Sequence, residues 1–211
     1  MQAKFIVVEG LEGAGKSSVI EVIKNQLLLL KVDQVVTTRE PGGTPLSEKI
    51  RSLVKTVNDN EEIMPVSELL LMVACRVQLV ENVIKPALKN NQWVLSDRFS
   101  WSTFAYQGAG RGLGLDRVDQ LHQLALGGFK PDFTIYLDID PVIGLERAKK
   151  RGELDRFELQ QIEFFNKARE AYLTLLEAEN SAVKIDASQP MDVVHQQVKD
   201  QIINYCRVVL K

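Results

Sequence analysis

The sequence feature that most constrains the fold is a glycine-rich segment near the N-terminus. It follows the apolar run Phe5–Val8, which has strand character, and fits the pattern G-x-x-x-x-G-K-[ST]. In such a loop, backbone N–H groups turn towards phosphate, the lysine contacts the β- and γ-phosphates, and the final hydroxyl binds Mg²⁺. The pattern, strengthened by its place between strand and helix, favours a nucleotide-binding P-loop over an ordinary glycine-rich turn. Its residues are Gly10, Leu11, Glu12, Gly13, Ala14, Gly15, Lys16 and Ser17.

Segments with strand and helix character alternate along the rest of the chain. Strands are predicted at 5–8, 34–38, 93–96, 134–137 and 183–185, and helices at 17–31, 46–57, 67–89, 115–126, 142–150, 158–177 and 191–208. This alternation predicts an α/β fold with a doubly wound, five-stranded parallel sheet and flanking helices. We find no repeat or linker in the 211 residues, so we expect one domain over residues 1–211.

Composition limits the classes of partner. The 26 basic and 28 acidic side chains give a formal net charge of −2, so no global positive field attracts nucleic acid or an anionic membrane. No apolar stretch approaches the roughly 20 residues of a membrane span. The two cysteines form neither a metal-binding spacing nor a disulfide framework, and the N-terminus lacks the pattern of a signal peptide. We therefore expect a cytoplasmic protein.

Charged residues follow the second and third predicted strands, at the sheet edge where ligands bind in such folds. Arg39 begins a polar turn that either holds a second anionic ligand or is a surface turn. Asp97 lies where P-loop proteins keep a carboxylate for the metal's water shell, and the neighbouring Arg98 can bind a phosphate. The alternative is a surface pair formed by these two residues.

Arg76 follows an apolar segment, Leu69–Cys75, in the predicted helix 67–89. Its neighbours three and four residues away are all apolar, so no acid on its own helix can pair with it. A buried guanidinium needs a partner from elsewhere, which is either a ligand carbonyl or phosphate or an acid on another element.

Cations also concentrate around residues 147–158. Arg147, Lys150 and Arg151 share a helix face, and Arg156 follows shortly after. Such residues suit a helix C-terminus, but their number favours a phosphate clamp on a small lid. Arg151 is the preferred candidate for a catalytic cation that reaches the transferring phosphoryl group, and Arg156 is the second choice.

Glu12 is an unusual residue inside a phosphate-binding loop, because a carboxylate aimed at phosphate is repelled. We expect it to point away and to accept a hydrogen bond from a neutral donor, such as a sugar hydroxyl of a second substrate.

Five segments together carry a family resemblance: residues 10–17, 39–44, 97–99, 105–108 and 151–156. In this order and spacing they closely resemble bacterial thymidylate kinases, which are P-loop nucleoside monophosphate kinases. The resemblance implies a transferase that phosphorylates dTMP to dTDP for dTTP biosynthesis, using ATP and Mg²⁺. It also implies a homodimer packed through helices that include the one bearing Arg76.

Carried over by position, the resemblance assigns roles to further residues. Arg39, Arg51 and Arg98 would hold the dTMP phosphate, and Arg76 would face a thymine carbonyl. Thr103 and Gln107 would lie near the base and sugar, and Tyr106 would stand where a 2′-hydroxyl would clash. Met72 stands where many members have a stacking phenylalanine, and a thioether can also lie on a ring face. Phe99 stands where tyrosine or histidine is common. Ser17 and Asp97 remain the metal candidates, and Lys16, Arg98 and Arg151 the catalytic ones.

Three alternative functions share part of this sequence pattern. A GTPase switch needs an Asn-Lys-x-Asp guanine-binding motif, whereas Asn166-Lys167 is followed by Ala168 and Arg169. A catalytically silent nucleotide-binding protein is disfavoured by the intact Lys16 and Ser17. A kinase for another monophosphate, such as dUMP or CMP, is the remaining alternative.

Overall fold

A computed structural model describes residues 2–57, 61–152 and 154–210. Five strands form one sheet in the order β2-β3-β1-β4-β5, and every neighbouring pair is parallel. The strands are β1 (Phe5–Gly10), β2 (Val35–Arg39), β3 (Trp93–Asp97), β4 (Phe133–Asp138) and β5 (Ala182–Asp186). The predicted five-stranded parallel sheet is confirmed.

Helices cover both faces of the sheet. They are α1 (Lys16–Leu29), α2 (Pro45–Lys55), α3 (Pro65–Leu79), α4 (Lys85–Lys89), α5 (Ser100–Thr103), α6 (Leu115–Leu126), α7 (Pro141–Arg151), α8 (Ile162–Ala178) and α9 (Met191–Val209), with π-helical segments at Val80–Ile84 and Phe104–Gly110. Alternate residues of the fully buried β1 enter different cores: Ile6 and Val8 pack in one, Phe5 and Val7 in the other. This two-sided burial is what a doubly wound sheet requires. None of the helices in the described ranges is long and apolar enough to cross a membrane.

Two predicted helices differ from the structure. The helix predicted over 67–89 is interrupted by the π-helical segment Val80–Ile84, just before Pro86, which has no N–H to continue the α-helical hydrogen bonds. The helix predicted from Glu158 begins at Ile162 instead. Residues 156–159 form a separate turn, because the Asp155 side chain accepts hydrogen bonds from the N–H groups of Phe157 and Glu158.

The order of the strands determines at which edge of the sheet the candidate site lies. After β1 the chain crosses to one side of the sheet, and after β3 it crosses back past β1 to reach β4. The carboxyl ends of β1 and β3 therefore flank the switch point where ligands bind in open α/β sheets. Val8 pairs with Asp97, and Asp97 pairs with Arg39, so the three strand ends lie side by side.

Candidate active site

The P-loop connects β1 to α1 with the predicted geometry. Gly15 caps α1 with φ 86°, a backbone conformation that favours glycine. Gly13 has φ 72°, and a Cβ there would lie 2.1 Å from the carbonyl oxygen of Gly144 in α7. A side chain at Gly13 would therefore push α7 away from the loop.

Lys16 folds back over this loop. Its Nζ donates to the carbonyl oxygens of Gly10 at 3.0 Å and Leu11 at 2.7 Å. Burial, assisted by the positive charge of Arg98, lowers the pKa of Lys16 to about 8. The ammonium group is thus held at the loop by neutral carbonyls, which can exchange for phosphate oxygens.

Ser17 and Asp97 fit a Mg²⁺ site. Both line the same cavity, and Asp97 has a buried carboxylate oxygen, Oδ1, with no hydrogen-bond partner. Within the described ranges there is no cluster of three or more His, Cys, Asp or Glu residues able to hold a metal ion. Mg²⁺ commonly binds through one or two protein oxygens plus water and substrate phosphates, and these two residues suit that mode.

Glu12 has a charged partner that the sequence analysis did not predict. Its carboxylate accepts hydrogen bonds from Arg98 Nη2 at 2.6 Å and from the Tyr106 hydroxyl. The Tyr106 hydroxyl is a neutral donor of the expected kind, but the Arg98 guanidinium was not expected, because it comes from 86 residues further along the chain. The ion pair offsets the negative charge that Glu12 brings to the loop.

Arg98 is held from several sides. It adopts φ 71°, and its Nη1 donates to the hydroxyls of Ser102 at 3.0 Å and Tyr172 at 3.2 Å. Burial alone would lower the pKa of Arg98, but Tyr106 and Glu12 raise it well above its ordinary value. This arginine is therefore a fixed positive charge between the P-loop and the π-helical segment.

Glu9 holds two hydroxyl groups that bind Arg98, and the sequence analysis did not identify it. This fully buried acid of β1 accepts hydrogen bonds from the Phe99 N–H, the Ser102 N–H and hydroxyl, and the Tyr172 hydroxyl. Burial raises the pKa of Glu9. The available sequence signal was an acid at the end of an otherwise apolar strand.

Arg76 pairs with an acid on another element, which was one of the two alternatives that the sequence left open. Its Nε donates to Glu40 Oε2 at 2.8 Å, and its Nη2 donates to the Phe99 carbonyl and the Thr103 hydroxyl. The acid comes from the loop after β2. Arg76 and Glu40 also line the cavity, so this ion pair is part of the cavity wall.

The other predicted acceptor residues meet in the same cavity. Arg51 Nη1 donates to the Pro41 carbonyl at 2.8 Å, and Arg39 pairs with Glu48 at 2.9 Å. Burial and the nearby charge of Arg39 lower the pKa of Arg51. Met72, Thr103, Tyr106 and Gln107 complete this side of the cavity.

The cations of the predicted lid separate into two groups. Arg147 and Arg151 line the cavity: Arg147 donates to the Ala187 carbonyl at 2.8 Å, and Arg151, 66% exposed, pairs with Glu158. Arg156 is instead tied to Glu68 and to the Val54 carbonyl. Arg151 therefore stays the candidate for the catalytic cation because it lines the cavity, whereas Arg156 is bound away from the cavity wall. Within the predicted lid of 147–158, Glu153 lies outside the described residues.

One cavity of about 680 Å³ joins these groups. Its wall carries more cations than acids and includes the P-loop, the strand ends and the end of α7. The residues are Glu12, Gly13, Gly15, Lys16, Ser17, Ser18, Arg39, Glu40, Pro41, Arg51, Lys55, Met72, Arg76, Asp97, Arg98, Ser102, Thr103, Tyr106, Gln107, Arg147, Arg151, Asp155, Phe157 and Glu158.

A family model described as thymidylate kinase matches residues 8–198 of this chain. The chain belongs to the thymidylate kinase family. It is 53% identical over 202 residues to the thymidylate kinase of Vibrio parahaemolyticus, covering 96% of each chain. It is 54% identical over 199 residues to that of Vibrio campbellii, covering 94% of this chain and 95% of the relative. These matches confirm the predicted enzyme class, an ATP-dependent nucleoside monophosphate kinase with a P-loop fold.

Proposed function

We propose that this protein transfers the γ-phosphoryl group of ATP to dTMP, which yields ADP and dTDP for dTTP synthesis. The observation that carries the proposal is a single cavity with a P-loop on one side and Arg39, Arg51, Arg76 and Arg98 on the other, in a chain of the thymidylate kinase family. Two anionic nucleotides must approach each other in this reaction, and only a strongly cationic cavity stabilises that arrangement.

The donor half uses the P-loop. Lys16 and the loop N–H groups bind the β- and γ-phosphates, and the N-terminus of α1 points towards them. Ser17 and Asp97 would hold Mg²⁺, which neutralises charge on the phosphates when bound. Arg147, held against the loop after β5, lines the outer part of the donor side.

The acceptor half uses the arginines beside the strand ends. Arg39, Arg51 and Arg98 provide the positive charge for the monophosphate. Arg76, fixed by Glu40 and Thr103, presents its guanidinium group to the base, and Met72 and Gln107 lie beside it in the cavity wall. Glu12 and Tyr106, joined by a hydrogen bond, border the sugar.

No general base is needed at the acceptor. A nucleoside monophosphate has a second pKa near 6, so its attacking oxygen is already anionic at neutral pH. The protein acts by aligning the two anions and by stabilising the charge of the transferring group with Lys16 and Arg151. Arg151 must leave Glu158 to do so, and the buried Glu158 carboxylate then keeps the hydrogen bond from the Asp155 N–H.

A coupled ADP-release assay with dTMP, dUMP, dCMP and ribothymidine monophosphate tests this function. We expect dTMP to give the highest kcat/KM. Arg76→Ala should weaken dTMP binding much more than ATP binding, with Arg169→Ala, outside the cavity, as the control. A preference for another monophosphate in wild-type protein would replace dTMP as the substrate while leaving the kinase assignment intact.

The assembly and location also belong to the proposal. The outward face of α3 and the neighbouring α6 expose large apolar side chains, including Leu70 at 53% and Leu124 at 85%. A homodimer packed through α3 would cover this face. Sedimentation of Leu70→Asp, expected as a monomer, tests it.

Two buried free thiols, Cys75 and Cys206, suit the reducing cytoplasm. One domain carries the whole site, with residues 147–158 as its lid.

A further inference from the structure

Glu68 in α3 is a fully buried carboxylate that lies outside the cavity wall. Donors from two separate parts of the chain converge on it. Gln107 Nε2 lies 2.7 Å from Oε1, Arg111 approaches both oxygens at 3.2 Å, and Arg156 Nη2 contacts Oε2. A buried charge with this many partners fixes the positions of all of them.

One of these partners belongs to the acceptor side. Gln107 is a buried residue of the π-helical segment Phe104–Gly110, and it lines the cavity next to Thr103 and Tyr106. Its amide nitrogen donates to Glu68, so its orientation in the acceptor site depends on that carboxylate.

The other side of Glu68 holds the lid. Arg156 also donates to the Val54 carbonyl at 2.7 Å, and its guanidinium lies 4.6 Å from the Phe157 ring centre. In the same turn, two residues on, Glu158 binds Arg151. Arg111 adds a second link, since its Nη1 donates to Gln160 Oε1 at 2.7 Å. The turn that carries Glu158, the partner of Arg151 in this structure, is therefore anchored on Glu68.

We propose that Glu68 is a positioning residue that couples occupancy of the acceptor site to placement of Arg151 over the donor phosphates. This inference rests on the proposed function. A nucleotide that contacts Gln107 acts on the Glu68 carboxylate, to which Arg156 and the turn carrying Glu158 are also bound. By reciprocity, a donor that engages Arg151 stabilises the acceptor site.

The test measures this coupling directly. Calorimetry gives the Kd of a non-hydrolysable ATP analogue with Mg²⁺, with and without saturating dTMP. In wild type we expect dTMP to tighten the analogue by about fivefold or more, the lower end of typical coupling between sites. In Glu68→Gln, which keeps the shape but removes the charge, we expect less than about twofold, a lower kcat, and single-nucleotide Kd values within a few-fold of wild type.

Two further variants keep the test decisive. Asp138→Asn removes a carboxylate paired with Arg169 at 2.8 Å outside the cavity, and it should retain full coupling. Arg156→Gln breaks only the lid side of the cluster and should lose coupling even if Glu68→Gln fails to fold. Coupling absent in wild type, or retained in either Arg156→Gln or a folded Glu68→Gln, would overturn the role of Glu68. Failure of wild type to phosphorylate dTMP would instead refute the proposed function.

Discussion

The buried pair of Arg76 and Glu40 makes stability depend on pH in a way that one substitution reveals. Arg76→Met removes the guanidinium but keeps an unbranched side chain of similar length. Burial raises the pKa of Glu40 to about 7, although Arg76 acts to lower it. Without Arg76 this pKa must rise further, because desolvation is then less opposed.

The magnitude follows from two contributions. Below pH 7, Glu40 is largely neutral in the wild type, so the variant loses mainly the hydrogen bonds from Arg76 to Glu40, Phe99 and Thr103, about 1–3 kcal/mol. A group whose pKa is raised by folding loses stability as pH rises towards its folded pKa. In the variant that loss continues above pH 7, so the difference in unfolding free energy grows by about 1.4 kcal/mol per pH unit.

Urea denaturation at pH 6, 7 and 8, followed by tryptophan fluorescence, measures this difference. The control is Arg169→Met, which breaks the pair with Asp138. Burial raises the pKa of Asp138, but the hydrogen bonds and charge of Arg169 lower it by more, so this carboxylate is ionised from pH 6 to pH 8. The ΔΔG of Arg169→Met should therefore stay constant over this range. An Arg76→Met ΔΔG equal at pH 6 and pH 8 would contradict the reasoning.

The remaining predictions concern catalysis. Because burial lowers the pKa of Lys16 to about 8 in the free enzyme, kcat/KM for ATP should fall about tenfold per unit above that pH, and a flat profile to pH 9.5 would contradict the lowered pKa. Tyr106→Ala should reduce the deoxy-to-ribo ratio of kcat/KM, and an unchanged ratio would remove its role against a 2′-hydroxyl. Arg151→Ala should lower the single-turnover rate by about 10³ or more with ATP and dTMP affinities within a few-fold, whereas a loss confined to ATP binding would make it a ground-state contact.

The central strands β1, β3 and β4 could be predicted from the sequence because each is a short, mainly apolar run, and the edge strands β2 and β5 because they alternate with helices along the chain. Helix α6 was predicted with the bounds that the structure has, Leu115–Leu126, and it ends at Gly127 in the left-handed conformation. The helical path of Ser100–Gly110 was not predicted. Its aromatic, hydroxyl and glycine residues have weak helix propensity, and packing against α8 stabilises it instead.

The P-loop could be predicted because its residues are contiguous and its spacing is specific. Glu40 and Glu68 could not, since their partners lie 36 to 88 residues away and nothing local marks an acid as buried. The signal for Glu40 was indirect: Arg76 had no acid on its own helix, which required a distant partner. A lone cation in an apolar helix thus predicts that a counter-charge exists but not where it lies.

Glu12 shows where electrostatic reasoning from sequence fails. The sequence indicated that the Glu12 carboxylate would be repelled by phosphate, and it was therefore expected to point away from the phosphates and to accept a hydrogen bond from a neutral donor. A neutralising cation was not predicted. The structure supplies a cation, and this has a chemical consequence. Arg98 is bound by Glu12 at one nitrogen and by hydroxyls at the other, so its remaining N–H groups have a fixed direction before any monophosphate binds. If Arg98 binds the acceptor phosphate as proposed, the acid in the loop contributes to acceptor binding by orienting this arginine, and this preorganisation offsets the repulsion between the carboxylate and the donor phosphates.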